Sequence, residues 1–503
     1  MKTQSNFVLL ISGILTGISY SFLYLIPIIV ISFAYLFFLT EKSATQKSSF
    51  FIGWIFGTGF FLGSMHWIVF PFLIYEKHLF LSPLVLFVFP IFLGLFFTIP
   101  TLFLYNFVSK INPAYLYLKC FSLSFFFLLS ELIRSNIFGG LPFNLTAQIC
   151  AYNSEFINIV SFIGVFGLSF ITLNWLIILA YLILEKKKSF FIFFIIFPVI
   201  LYNLENFSFK KNSTLIYENI DIRVIQPNIP QEDKWDKLKI PIHLEKLINL
   251  TNANLNEEKT YLVIWPEVAI PFYLNEEEEL EEYLKKEIKD NVILITGALR
   301  RKFNSSYFKI YNSLYLINKD KISVYDKRKL VPFGEFVPLR NLLKFTKLTQ
   351  GSTDFSKGSN TKKINIKIDG KEFFLEPSIC YEAIFQSFVE YKPQLFINIT
   401  NDAWFGTTIG PKQHLAASIF RAVEKGSPLI RSANSGISVI TNSNGKILKK
   451  IDLKKAGYID FQLSTNNNET FFMKHKNYAL ALTIIFLGII SLMSDLIIKR
   501  KKN

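Results

Sequence analysis

Three residues in the second half of the chain, Glu267, Lys327 and Cys380, are of the types that acyl transfer requires. Each follows a predicted strand, and a carboxylate can act as general base, a thiol as nucleophile and an ammonium as oxyanion stabiliser. Singly, each has a simpler explanation, because free cysteines are usually small buried hydrophobes, whereas Glu and Lys are usually solvated. Only their combination predicts a catalytic site.

The surroundings of Glu267 and Cys380 add detail to this prediction. Pro266 ends the apolar run 261–265, which predicts that Glu267 is presented at a sheet edge instead of buried within the sheet. Residues 383–390 predict a helix after Cys380, and a strand-to-helix turn would expose the thiol and favour the thiolate. Cys120 and Cys150 lie in or beside apolar segments, so no disulfide framework is predicted.

The composition places these residues in a membrane protein. Of the 503 residues 51% are apolar, and 55 are Phe. Apolar stretches of spanning length predict about eight helices. They are two short spans within 3–40, then about 50–72, 82–106, 115–134, 157–184, 189–204 and 477–498. A cleavable signal peptide is the alternative for the first stretch, but its basic start is only Lys2 and further spans follow.

The net charge of +16 suits this topology better than nucleic-acid binding, because the basic residues fall in alternate short loops. These residues are Lys42, Lys47, Lys110, Lys119, Lys186 to Lys188 and Lys499 to Lys502. The positive-inside rule then predicts that both termini are cytoplasmic and that residues 205–476 lie on the outer face. A bland alternative is that Lys is simply common in this chain, but the long loop 135–154 carries almost no charge.

Two ionisable residues fall inside a predicted span. Glu131 and Arg134 are three residues apart, and their spacing predicts a structural ion pair near the membrane edge. The following residues 139–144 predict a re-entrant or interfacial turn that could line a lipid entrance.

Beyond residue 205, short strands alternate with charged helices, as in layered α/β domains. The expected domains are 1–205 with seven spans, 206–476 as an extracytoplasmic catalytic domain, and 477–503 with the eighth span and a basic tail. Predicted strands are 222–226, 261–265, 292–296, 312–317, 364–368, 373–379, 395–400, 428–432 and 438–441. Helices are predicted at 276–289 and 412–425, and hairpin turns at 368–371 and 442–445.

Several motifs resemble those of the apolipoprotein N-acyltransferases of bacterial inner membranes, and the resemblance covers essentially the whole chain. The matching residues are 226–231 with Trp235, 265–267, 327–338, 379–382, 401–406 and 431–436. Lys329 stands where His is usual in that family and Pro227 where Gly is usual, and either difference can alter loop shape. His414 also fits the family pattern, and as a lone histidine it is expected to be structural.

The resemblance implies a polytopic α-helical membrane domain with an inserted nitrilase-like αββα domain. It implies that Glu267 is the base, Lys327 the oxyanion stabiliser and Cys380 the nucleophile, with Glu335 and Glu382 as supporting carboxylates. Trp235, Tyr381 and Trp404 would lie near the lipid-binding mouth, although such residues also serve as interfacial anchors.

The implied reaction passes a fatty acyl chain from a phospholipid through a Cys380 thioester to the N-terminal amine of a diacylated apolipoprotein. The enzyme is expected to act as a monomer without a metal, a cofactor or nucleic acid. Its expected location is the bacterial inner membrane, with the catalytic domain in the periplasm. Two alternatives are a membrane-tethered amidase with the same triad and a transporter with an inactive outer binding module. The intact triad and the few ionisable residues in the spans count against the transporter.

Overall fold

The computed structural model describes residues 2–151, 153–203, 214–303, 307–318, 321–338, 340, 347–349, 351, 353–359, 363–386 and 389–502. The chain forms two compact units. The first comprises Met1–Val69, Phe80–Phe209 and Thr470–Asn503, and the second comprises Phe70–Leu79 with Lys210–Glu469. The expected domain boundary at 205 and 206 lies outside the described residues.

The first unit is helical. Its main helices are Lys2–Ser19, Ile26–Glu41, Gln46–Met65, Ser82–Gly94, Thr98–Asn106, Leu116–Asn136, Val160–Leu184, Phe190–Asn203 and Phe471–Lys502, with one short turn at Ser154–Ile157. Within the described ranges, five stretches are long and apolar enough to cross a membrane: Gln46–Leu73, Glu76–Lys110, Leu116–Gly139, Val160–Leu184 and Tyr478–Arg500. Three further apolar helices are shorter: Gln4–Ser19, Ile26–Glu41 and Phe190–Asn203.

Small residues let these helices pack closely. A Cβ atom at Gly13 would lie 2.2 Å from the Phe56 backbone oxygen, and one at Gly59 would lie 2.2 Å from that of Leu10. The first and third helices therefore touch through their backbones, which is the usual packing where lipid supplies no hydrophobic drive between helices.

Several of the basic loop residues lie at one end of this unit. Lys119 forms an ion pair with Glu41 at 2.7 Å, and Glu41 also accepts a hydrogen bond from the Tyr181 hydroxyl. Asp495 caps the helix Leu116–Asn136 by accepting from the backbone N–H groups of Tyr117 and Leu118. These contacts therefore hold together the helix ends beside Lys42, Lys119, Lys186 and Lys499.

Glu131 and Arg134 do not form the simple ion pair that their spacing predicted. Glu131 Oε1 accepts from the backbone N–H and the hydroxyl of Thr146, at 2.8 and 2.7 Å. Arg134 Nη1 donates to the carbonyl oxygens of Leu141 and Phe143, both at 2.5 Å. Both side chains therefore stabilise the turn that follows their helix, because its backbone groups need partners where water is scarce.

Within its described part, the second unit contains two β-sheets. The first has the order β13-β1-β2-β4-β5-β6 with β3 paired to β4, and the second has the order β12-β11-β10-β9-β8-β7. The strands are β1 Thr214–Gln226, β2 Thr260–Ile264, β3 Ile270–Tyr273, β4 Val292–Phe303, β5 Phe308–Asn318, β6 Lys321–Asp326, β7 Ile364–Ile368, β8 Lys371–Ile379, β9 Leu395–Thr400, β10 Leu429–Ala433, β11 Ser438–Thr441, β12 Ile447–Ile451 and β13 Gly457–Asn466. The helices are Ile240–Asn252, Glu278–Glu287 and Gly410–Lys425, with the short helix Phe70–Leu73.

Both sheets contribute to one buried apolar cluster, which includes Val224 and Leu262 of the first sheet and Leu375 and Ile397 of the second. A second cluster joins the first sheet to the helices Ile240–Asn252 and Glu278–Glu287 through Leu247 and Leu284. Parallel pairing places the ends of β1, β2 and β4 at one edge, as it does for β8, β9 and β10. The residues that follow these strands therefore come together.

All of the predicted strands are present. Most of the predicted strand ends lie within one residue of the observed ends. The hairpin at 368–371 is confirmed, since Ile368 pairs with Lys371, and Asp369 and Gly370 both have positive φ. The predictions omitted β3, β6, β12, β13 and the helix Ile240–Asn252. They also placed a helix at 383–390, whereas a single 3-10 turn, Cys380–Ile384, follows β8 and no helical residue is described from 385 to 390.

Candidate active site

Glu267 lies shortly after the end of β2, and its side chain is buried, with 6% of its surface exposed. Its Oε1 accepts from Asn312 Nδ2 at 2.8 Å and from Lys327 Nζ at 3.2 Å. Its Oε2 accepts from the backbone N–H of Asn401 at 3.0 Å. These donors fix the carboxylate in one orientation.

Gly297 of β4 makes room for the backbone of Glu267. A Cβ atom at Gly297 would lie 2.4 Å from the nitrogen of Val268 and 2.8 Å from Glu267 Cα. Val268 has a φ of 46°, which is unfavourable for a β-branched residue. The turn that carries the carboxylate is thus strained and supported by a close backbone contact.

Lys327 follows β6, and only 1% of its surface is exposed. Its ammonium lies 3.0 Å from Glu335 Oε1 and 3.2 Å from Glu267 Oε1. Asn312 of β5 donates to the same two carboxylates, to Glu335 at 3.0 Å. One amide and one ammonium therefore connect Glu267 and Glu335 in a single buried network.

Cys380 directly follows β8 and is buried with a φ of 48°. The charge of the buried Glu267 carboxylate acts on its thiol. A cysteine held in the left-handed region after a strand has a strained conformation, which is typical of residues at functional sites. The structure therefore brings Glu267, Lys327 and Cys380 together, although no helix N-terminus supports the thiol.

The resting thiol is protonated, contrary to the prediction that its position favours the thiolate. Burial and then the neighbouring Glu267 carboxylate raise the pKa of Cys380 to about 12, and Lys327 only partly opposes them. Burial also disfavours the charge of Glu267, but Lys327 and other donors outweigh it and lower the pKa of that carboxyl. Burial likewise disfavours the charge of Lys327, yet Glu267 and Glu335 raise its pKa. The site at neutral pH thus holds a thiol near an ionised carboxylate.

Glu382 joins two strand ends. Its carboxylate accepts from the Tyr325 hydroxyl at 2.8 Å, from the backbone N–H of Arg328 at 2.7 Å and from that of Ile379 at 2.9 Å. Burial, reinforced by Glu382, raises the pKa of Tyr325, so its hydroxyl remains a donor. Glu382 therefore fixes the chain beside Lys327 relative to the chain beside Cys380.

His414 of the helix Gly410–Lys425 contacts Cys380 through the main chain. Its Nε2 lies 3.1 Å from the carbonyl oxygen of Cys380, and its Nδ1 lies 2.8 Å from Asp402 Oδ1. Asp402 also forms a fully buried ion pair with Arg431 at 2.7 Å. Sequence motifs included Asp402 and Arg431 without a role, and only the fold shows that they support Cys380.

Trp235, Tyr381 and Trp404 are each half-buried in the catalytic unit. Tyr381 stacks edge-on against Phe385, and the Lys329 ammonium lies 4.9 Å from the centre of the same Phe385 ring. Where the structure describes the chain, no group of three or more His, Cys, Asp or Glu residues is arranged to hold a metal ion.

Comparison with known proteins identifies the context of this site. Residues 12–178 match the family model for the apolipoprotein N-acyltransferase N-terminal domain, and residues 221–468 match that for carbon-nitrogen hydrolases. The apolipoprotein N-acyltransferase of Rickettsia prowazekii is 34% identical over 98% of this chain and 99% of its own length. The chain belongs to the apolipoprotein N-acyltransferase family. It is therefore an enzyme and a membrane protein.

Other members of the apolipoprotein N-acyltransferase family match over a similar length. The relative from Rickettsia typhi is 33% identical over 98% of this chain and 99% of its own length, and that from Wigglesworthia glossinidia brevipalpis is 32% identical over 98% of both. A glutamine-dependent NAD+ synthetase from Acinetobacter baumannii matches with a TM-score of 0.33 and 15% identity over 50% of this chain and 47% of that chain. Membership of the N-acyltransferase family thus rests on sequence relatives of nearly equal length.

Proposed function

We propose that the enzyme moves a fatty acyl chain from a phospholipid to the N-terminal amine of a diacylglyceryl-modified apolipoprotein through a thioester on Cys380. The observation that carries this proposal is the buried network in which the Lys327 ammonium contacts Glu267 and Glu335, with the Cys380 thiol near enough to feel the charges of Glu267 and Lys327. Family membership supplies the class of reaction, and the membrane unit supplies the reason for lipid substrates.

In the first half-reaction Glu267 removes the Cys380 proton as the sulfur attacks the ester carbonyl carbon of the phospholipid. Since the thiol pKa is about 12, proton removal accompanies attack and does not precede it. Lys327 stabilises the developing oxyanion. The carbon–oxygen bond then breaks, Glu267 returns the proton to the leaving lysophospholipid, and a thioester remains.

In the second half-reaction the free α-amine of the apolipoprotein attacks the thioester. Glu267 takes a proton from the attacking nitrogen, and Lys327 again faces the oxyanion. The carbon–sulfur bond breaks, the proton passes to the thiolate, and the acyl chain is left in an amide. Glu335 and Glu382 are proposed to orient Lys327 and the strand ends, because they bind the groups beside the reacting atoms.

Trp235, Tyr381 and Trp404 are proposed to contact the lipid substrates. Each is an aromatic side chain that remains partly accessible, and Trp235 and Trp404 follow segments whose other members, Gln231 and Asn401, hydrogen-bond within the site. Such side chains bind apolar chains while their polar atoms stay hydrated.

We also propose the number of membrane spans, the layer arrangement of the catalytic domain and the membrane topology. The five spanning stretches and three shorter apolar helices support eight spans, and two facing sheets with outer helices support an αββα sandwich. Basic residues gathered at one set of helix ends support cytoplasmic termini and a periplasmic catalytic domain near residues 206–476, in a bacterial inner membrane. We propose that the enzyme acts as a monomer, without nucleic acid.

Mass spectrometry tests the reaction. The purified enzyme is given phospholipid with an alkyne-tagged acyl chain, and the peptide containing residue 380 is examined for a thioester adduct. Cys380→Ala should carry none, whereas the matched variant Cys150→Ala should behave as the unmodified chain does. Addition of a diacylated lipopeptide should then discharge the adduct as an amide. An enzyme without an adduct would overturn the mechanism, and free fatty acid as the only product would favour the amidase-type alternative.

Topology has a separate test. Green fluorescent protein fused after residue 503 should be fluorescent, and a membrane-impermeant maleimide should label Lys237→Cys in intact cells whose outer membrane is permeabilised. Lys237 is suitable because it is exposed in the catalytic unit. Labelling only after lysis would reverse the proposed orientation.

A further inference from the structure

A second ammonium, that of Lys234, lies beside the catalytic carboxylate. Lys234 belongs to the segment between β1 and the helix Ile240–Asn252, and only 7% of its surface is exposed. Its Nζ donates to the backbone carbonyl oxygen of Glu267 at 2.9 Å. It therefore holds Glu267 at the residue that precedes the strained φ of Val268.

Apart from Glu267, few polar groups near Lys234 could stabilise its positive charge. Lys234 and Glu267 line a small pocket whose walls are otherwise mainly apolar, with His243 as the further titratable side chain and Asn434 as a neutral polar one. Burial lowers the pKa of Lys234 to about 8, while Glu267 and Cys380 act in the opposite direction. A lysine is rarely buried in this way without a specific counter-charge.

The charge balance of the site shows what Lys234 contributes. Lys327 lies between two carboxylates, Glu267 and Glu335, so one ammonium faces two negative charges. Glu267, Glu335, Lys327 and Lys234 together have a net charge of zero. Without Lys234, the other three have a net negative charge. Its charge also acts directly on Glu267, where it favours the ionised carboxyl.

We propose that Lys234 is a positioning residue for acyl transfer, which fixes the main chain of Glu267 and holds its carboxylate in the ionised form that accepts the Cys380 proton. This inference rests on the proposed function. It assigns the two lysines different tasks: Lys327 faces the reacting atoms, whereas Lys234 acts through Glu267.

The pH dependence of thioester formation tests this assignment. The titratable groups that face Glu267 are Lys327, Lys234 and the Cys380 thiol, and only Lys234 is changed. Loss of a neighbouring positive charge destabilises the carboxylate, so the acid limb of the rate profile should move to higher pH in Lys234→Met. We expect a move of roughly one pH unit, which at the wild-type midpoint is about a fivefold lower rate.

Two variants serve as controls. Lys234→Arg keeps the charge and should keep the limb within a few tenths of a unit. Lys237→Met removes an exposed lysine from the same segment and should leave both rate and limb unchanged. A purely structural role for Lys234 would lower the rate at every pH without moving the limb, and that result would overturn the proposal.

A second readout makes the test independent of lipid. Alkylation of Cys380 by iodoacetamide depends on the same proton transfer, so its acid limb should move in the same direction in Lys234→Met. If that variant does not fold, Lys234→Gln replaces it under both readouts. A wild-type enzyme that is alkylated but never acylated would reject the proposed function, whereas an unmoved limb in an active enzyme rejects only the role of Lys234.

Discussion

The imidazole Nε2 of His414 lies 3.1 Å from the carbonyl oxygen of Cys380. A carbonyl oxygen only accepts hydrogen bonds, so this ring nitrogen donates to it. The nucleophile is thus held by its backbone from a neighbouring helix while its thiol faces Glu267. Since Cys380 has a φ of 48°, this hydrogen bond stabilises a conformation that the residue would not otherwise adopt.

Replacement of His414 should therefore slow acylation without weakening lipid binding. We expect His414→Leu to lower the single-turnover rate of thioester formation about 10- to 100-fold, because small displacements of a reacting group are costly. His414→Gln retains an N–H group of similar reach and should recover part of the rate. A loss confined to the apparent lipid affinity would contradict a role in positioning the nucleophile.

Gly297 gives a test of the geometry around the base. Gly297→Ala places a methyl group against the nitrogen of Val268 and Glu267 Cα, so the turn must shift. Acylation should fall about 10- to 100-fold, as measured by the adduct on the peptide containing residue 380. The control is Gly370→Ala in a hairpin where nothing lies within 4 Å, which should cost about 1 kcal/mol of stability and leave the rate unchanged.

The buried pair of Asp402 and Arg431 predicts how stability depends on pH. Burial opposes the charge of Asp402, but Arg431 and His414 prevail and lower its pKa to about 2. A lowered carboxyl pKa gives stability that is present above the unfolded value near 4 and is lost as the pH falls through the folded value. The contribution at neutral pH is about 2 kcal/mol.

Thermal unfolding in detergent checks this dependence. Asp402→Asn should lower the melting temperature of the catalytic unit at pH 7, with a total cost of about 3 to 5 kcal/mol because Arg431 loses its counter-charge. The difference from wild type should shrink between pH 4 and pH 2. Asp452→Asn removes a half-exposed surface pair and should change little at any pH. A difference that stays constant down to pH 2 would exclude the ion pair as its cause.

Arg134 provides a test in the membrane unit. Arg134→Leu leaves the carbonyl oxygens of Leu141 and Phe143 without these donors, and each lost hydrogen bond in a buried setting costs about 1 to 3 kcal/mol. The yield of monodisperse protein and its melting temperature should both fall. Arg500→Leu changes an exposed arginine and should leave both unchanged. Equal behaviour of the two variants would show that the turn does not depend on Arg134.

Much of the catalytic unit follows from local sequence. Strands such as β7 and β9 have the predicted bounds, because alternating or continuous apolar residues determine which strand faces are buried. The omitted strand β12 is largely exposed and β13 is mostly half-buried, so their pairing with neighbouring strands decides their conformation.

The candidate site was less fully predictable. Residue type and strand-end position indicated Glu267, Lys327 and Cys380, but burial reversed the expected state of the thiol. Asn312 and Lys234 carried no signal, because an asparagine within a strand and a lysine in a charged loop are usually solvated. Their roles depend on contacts between segments distant in the chain, which local periodicity does not encode.

The second compact unit includes Phe70–Leu79 as well as Lys210–Glu469, and a Cβ atom at Gly406 would lie 2.5 Å from the Phe70 ring. The glycine that ends the segment with Trp404 is therefore fitted to an aromatic residue from the first part of the chain. Expression of residues 210–469 alone would omit that ring and leave its contact surface uncovered. Residues 70–79 and 210–469 therefore belong to one packed unit although they are distant in the chain, and exchange between relatives would need to transfer both pieces together.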